Sequence, residues 1–116
     1  MLSVRDQQVV LARERGDTLA DIGQRHGISH QRVSAVVNRA TEFVNKVDLD
    51  LMVARKTGEV VVYVIPYGPD YTLAIDFSTW LVKRLRDRGM EVDIETRRAH
   101  NGLALLLSDV TPRRAS

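Results

Sequence analysis

From His30 to Thr57 the chain contains neither glycine nor proline, and one apolar series runs through the whole stretch. Val33, Val37, Ala40, Val44, Val47, Leu51 and Ala54 recur at alternating spacings of four and three. That period keeps side chains on one side of a helix. Glycine and proline are the strongest local punctuation in a sequence, so their absence here predicts a long helix with one side to bury. Arg55 and Lys56 fall at the negative end of such a helix, and Gly58 follows as a stop. Val47-Asp48-Leu49-Asp50-Leu51 also alternates strictly, which is a strand pattern, and Asp48 would equally cap a separate short helix. Helix is favoured for 48–56. What covers the seam stays open at this level: the second half of the same chain, or a second copy.

Just upstream, Thr18 to Asn38 reads TLADIGQRHGISHQRVSAVVN, two helices joined by a tight turn. Leu19, Ile22 and Gly23 line the inner side of the first. Gly27 accepts a positive φ and ends that helix abruptly. Ile28 plugs the corner, and Ser29 caps the next helix through its hydroxyl. Val33, Val36 and Val37 bury one side of the second helix against the first. His30, Gln31, Ser34, Ala35 and Asn38 are left facing outward, where a helix in a DNA major groove presents its readers. Nearer the N-terminus, Ser3-Val4-Arg5-Asp6 fits the start of a bracing helix that carries Val9, Val10 and Leu11 and stops near Arg15 at Gly16. Thr18 sits at the cap position of the second helix, with its hydroxyl also within reach of a phosphate.

Thr18-Leu19, Ile22-Gly23, Gly27-Ile28-Ser29, Arg32-Val33 and Arg39-Ala40 together resemble the helix-turn-helix of the fourth conserved region of bacterial primary sigma factors. They are similar also to related small phage and actinobacterial regulators. The resemblance covers the N-terminal segment to about residue 45 and departs from the pattern at His26, Ser34 and Ala35. It implies binding to double-stranded DNA through Thr18, Ser29, His30, Gln31, Arg32, Ser34, Ala35, Asn38 and Arg39. Side-chain chemistry suits this assignment. Gln31 can make a bidentate contact with adenine, His30 can meet a base edge or a phosphate, and Ala35 offers a methyl contact to thymine. Arg32, Arg39 and Arg25 would hold phosphates and set the register.

Beyond Gly58 the pattern turns to strands. Glu59 to Ile65 is the most β-like run, apolar on both faces, and predicts a central strand. Pro66-Tyr67-Gly68-Pro69-Asp70 breaks it. Leu73, Phe77, Trp80, Leu81 and Leu85 mark one side of an amphipathic helix ending at Gly89. Tyr71, Leu73 and Ile75 also alternate, so a short strand followed by a helix from Phe77 is the other reading. Glu91 to Thr96 alternates as a half-buried strand, Asn101-Gly102 signals a hairpin, and Leu103 to Ser108 returns. The expected fold is α+β: a three-helix helix-turn-helix over 1–46 with an extended third helix, a helical connector over 47–58, a β-α-β-β module for dimerisation or partner binding over 59–111, and a flexible tail over 112–116.

The formal net charge is only +2, too small for a chain that coats nucleic acid by charge alone. Residues 1–46 hold seven Lys and Arg against five Asp and Glu, and residues 47–116 hold ten of each. The surplus lies where phosphate contacts are needed. There is no cysteine, which excludes disulfides, thiolate catalysis and cysteine zinc sites. His26 and His30 are four apart, but Gly27 interrupts the helical register a metal pair needs. Glu91, Asp93 and Glu95, with Asp76 nearby, resemble a Mg²⁺ set and read more simply as a solvated strand face opposed by arginines. Trp80 and Tyr63 read as core, with Tyr67 and Tyr71 flanking the proline turn. The polar N-terminus and the lack of a long apolar run suggest a cytoplasmic protein.

The expectation is a dimeric transcriptional regulator acting by site occupancy near promoters, with no catalysis, cofactor or metal. Its partners would be double-stranded DNA, a second copy, and RNA polymerase or a regulator protein. The alternatives are a protein-interaction module of the transcription machinery and, behind it, a metal-dependent nucleic-acid enzyme.

Overall fold

The computed structural model describes residues 2–67 and 71–112. Helices come first: α1 (Val4–Glu14), α2 (Leu19–His26) and α3 (His30–Thr57). Then follow β1 (Val61–Ile65), α4 (Thr72–Asp87), β2 (Val92–Ala99) and β3 (Gly102–Asp109), and the three strands form one antiparallel sheet. The fold is α+β.

Ser3, Thr18 and Ser29 cap α1, α2 and α3, each accepting a hydrogen bond from a backbone N–H three residues on. Such caps satisfy donors that the first turn leaves unpaired. The third helix continues unbroken to Thr57 and stops at Gly58, whose φ is +73°. Alternation over Val47–Leu51 is absorbed without a break. Val47 and Leu51, four apart, are both buried, and Leu49 between them points to solvent. No separate helix begins at Asp48.

The α3 seam is covered by the chain itself. Val33, Ala40, Val44, Val47 and Leu51 are buried in one cluster with Val9 of α1, Ile22 of α2, Phe77 and Leu85 of α4, and Leu105 and Leu107 of β3. A second copy therefore cannot be what buries those residues.

In the sheet the order is β1-β3-β2, so β3 is central. The reading of Glu59–Ile65 as a central strand is corrected: the strand starts at Val61 and lies at an edge. Tyr63 and Ile65, opposite Leu105 and Leu103, turn toward the helices. Val60 and Val62 remain exposed. Apolarity on both faces was the signal for a central strand, but one of those faces meets solvent. At the hairpin a Cβ on Gly102 would collide with the Ile65 carbonyl, so glycine there lets β3 close onto β1.

α4 starts at Thr72 and buries Ala74, Phe77, Trp80, Leu81 and Leu85. The alternative short strand through Tyr71–Ile75 does not form. Thr111 is held in place: its Oγ1 accepts from the Glu91 N–H at 2.9 Å and its carbonyl from Arg55 at 2.6 Å. The turn residues Gly68-Pro69-Asp70 and the tail over 113–116 lie outside the described residues. Among the described residues no helix is long and apolar enough to cross a membrane.

Candidate nucleic-acid interface

The corner between α2 and α3 is built from backbone outward. Gly27 takes φ +67°, and the Ile28 N–H donates to the Gly23 carbonyl at 2.9 Å. Gly23 itself is pressed against the turn: a Cβ there would stand 2.5 Å from the Ile28 carbonyl oxygen. Its place on the inner side of the helix is legible from spacing, but this close approach is not. Ile22 is fully buried and Ile28 packs against the same core. With both helices capped and the turn closed, the start of α3 has a defined direction.

On that start, Gln31, Ala35 and Asn38 are exposed along one stripe, and Ser34 beside them is half-buried. His30 is exposed on one flank. Arg32 and Arg39, seven apart, share the other flank by helical period. Arg39 lies 3.8 Å from the buried Asp6 carboxylate of α1, which tethers it. Arg25 pairs with Asp17 at 3.3 Å. Among the described residues Arg32 has no ion-pair partner, so its charge is fully available. Thr18 is exposed, but its Oγ1 is engaged as the α2 cap, as is the Ser29 Oγ for α3.

No acidic residue occurs between Ile22 and Thr41, whereas Arg25, Arg32 and Arg39 do. The local surface is thus more cationic than the charge of the N-terminal half conveys, because four of its five acids lie in α1, in the loop before α2 and in its first turn, and the fifth, Glu42, lies further along α3. An anionic backbone meets no carboxylate from Gln31 to Asn38, and the exposed Glu42, one turn beyond Asn38, closes that stretch of the stripe.

Other groups singled out by sequence are committed elsewhere. Lys83 and Arg84 pair with Glu14 of α1, at 3.5 and 2.5 Å. Arg88 joins Asp48 at 3.2 Å and Asn45 at 2.6 Å on α3. Lys83 and Arg84 on α4, and Arg88 at its C-terminal cap, fasten α4 to α1 and α3 instead of opposing the β2 carboxylates. Arg97 meets Glu95 of its own strand at 3.0 Å, and Arg98 sits over the Tyr71 ring at 4.2 Å. Among the described residues no three His, Cys, Asp or Glu side chains are grouped to hold a metal ion. Trp80 packs 5.2 Å from Phe77, and Tyr63 meets Phe43 edge-on at 5.4 Å. The Tyr63 hydroxyl donates to the Asp50 carboxylate. Burial, and then that acceptor, push the Tyr63 phenol well above its ordinary range.

No protein-family model, curated protein or solved structure matches this chain.

Proposed function

We propose that the protein is a sequence-specific, double-stranded-DNA-binding transcriptional regulator. In this reading α2 and α3 form a helix-turn-helix of the sigma fourth-region type, and α1 braces it. The C-terminal β-α-β-β unit carries and pairs the reading heads. One observation supports this most: the polar stripe Gln31, Ala35, Asn38 is bare at the end of a capped helix, with the cations Arg32 and Arg39 beside it. A groove reader needs that combination, because base edges are read by side chains on one stripe while flanking cations hold phosphates.

Gln31 is assigned to a base edge and Arg32 to a phosphate. Arg39 also serves a phosphate, with its guanidinium steadied by Asp6. Ser34 and Ala35 accept close approach of a base, and His30 reaches either a base or the backbone. Regulation follows from occupancy of a site near a promoter.

Selection of bound sites from a random oligonucleotide pool tests the reading. A short recurrent sequence is expected, with preference at one position lost on Gln31→Ala. A pool that returns no recurrent sequence at moderate salt ends the proposal, since a binder held by charge alone loses all sequences together as salt rises.

A further inference from the structure

The sheet has two edges of opposite character. The β2 edge carries Asp93, Glu95, Arg97 and Arg98, all exposed, and charge on an edge strand discourages pairing with another chain. The β1 edge, Val61 to Ile65, has no charged residue, and neither does Val60 before it. Nine large hydrophobic side chains are exposed among the described residues, and five of them fall within 49–62: Leu49, Met52, Val53, Val60 and Val62, each between 49% and 66% exposed. Val60 and Val62 lie at β1 and Val53 on the α3 flank that carries Lys46 and Asp50, whereas Leu49 and Met52 lie on the outer and α4-facing sides of α3.

We infer that a second copy of this chain pairs with the first along the β1 edge, strand antiparallel to strand. The helix above that edge supplies the argument for self-pairing. α3 is held over β1 by Phe43 and Asp50, both in contact with Tyr63, and the Lys46 ammonium lies 5.9 Å from the same ring. The flank of α3 overlooking the open edge therefore presents Lys46 and Asp50, one turn apart, followed by Val53. A two-fold axis normal to the sheet, midway between the two β1 strands, reverses this flank. Lys46 then faces the partner's Asp50, and Asp50 faces the partner's Lys46. The flank is its own electrostatic complement. Such a contact is closed: both bare edges are consumed, and the six-stranded sheet ends on two charged β2 strands.

This inference deepens the regulator reading and rests on it for the purpose of the pairing. Both copies of α3 lie on the same side of the joined sheet, with their reading ends pointing apart. Ala35 is roughly 13 residues, hence about 20 Å, from the middle of the Lys46–Asp50 pair. The two readers then stand about 40 Å apart, close to the ~34–36 Å of one duplex turn. An inverted repeat with half-sites about one turn apart is the expected site.

Sedimentation velocity of the full chain, free of DNA, tests the pairing with Val62→Lys and Lys46→Glu as variants. Both side chains are exposed, and circular dichroism with thermal melting verifies that the variants fold. The wild type is expected to be a dimer, and each variant to raise its dissociation constant roughly tenfold or more. A wild type that stays monomeric into the high-micromolar range overturns the inference, and so do variants whose dimer constant stays within about twofold. Binding to a single half-site from the selected pool separates the two ideas. A monomeric wild type that still reads a half-site keeps the regulator and removes the pairing. A dimer broken by both variants, in a protein with no DNA preference, keeps the pairing and removes the regulator.

Discussion

Gln31 and Arg32 are adjacent in sequence but stand on different sides of one helix, and their expected losses differ in kind. Gln31→Ala should relax preference at one base position by about 1–3 kcal/mol and leave the melting temperature unchanged. Arg32→Ala should weaken binding to every sequence alike and lower the slope of log affinity against log salt by about one. Competition binding against site variants, repeated at several salt concentrations, separates the two. Arg39 reads from sequence as a phosphate contact, but its partner Asp6 lies 33 positions away, so only the folded chain reveals the tether. Tyr63 gives a prediction of another kind. The folded chain holds its phenol proton more tightly than the unfolded chain, where tyrosine titrates near 10. Above about pH 10 the unfolded state sheds a proton that the folded state keeps, so this contribution is complete below that pH and is lost as pH rises toward the folded value. Urea midpoints at about pH 9 and about pH 11 should therefore diverge less in Tyr63→Phe than in the wild type.

Among the elements, the α2–α3 corner shows what is local and what is not. Gly27 has open space where a Cβ would go, and only its φ of +67° resists substitution. Gly27→Ala should cost about 1 kcal/mol. Gly23 has an ordinary helical backbone but no room, because Ile28 closes over it. Gly23→Ala should cost about 2–3 kcal/mol and weaken DNA binding as the corner opens. Equal destabilisation of the two in urea unfolding would show that the corner is not closed as described. A turn glycine is announced by its neighbours in sequence, whereas a packing glycine is announced only by what folds against it. The same contrast explains β1. Its valines say strand plainly, yet whether a strand is central or at an edge depends on where the hairpin of β2 and β3 docks. That docking placed β3 in the middle.

For the molecule as a whole, the governing fact is that buried side chains from Leu2 to Leu107 belong to one cluster. The helical head and the sheet share it through α3, so damage in one should be felt in the other. Phe77→Ala, far from the reading stripe in sequence, should cost about 3–5 kcal/mol and lower the stability of α1 and α2 together with the sheet. Far-UV circular dichroism and Trp80 fluorescence should follow one transition in the wild type and in the variant. Helices that outlast the fluorescence change would show the two halves to be independent. Much of this architecture depends on information spanning only a few residues. Hydroxyl caps at Ser3, Thr18 and Ser29, stops at Gly16, Gly27 and Gly58, and the seam of α3 were all readable in the bare sequence, because capping, chain reversal and helical period are settled between near neighbours. Strand order, the covering of the seam by the chain's own second half, and the division of arginines into tethered and available were decided only in three dimensions. Most of this depends on partners tens of residues apart, as Arg39 on Asp6 and Arg84 on Glu14, and no local pattern records which distant surface a side chain will meet.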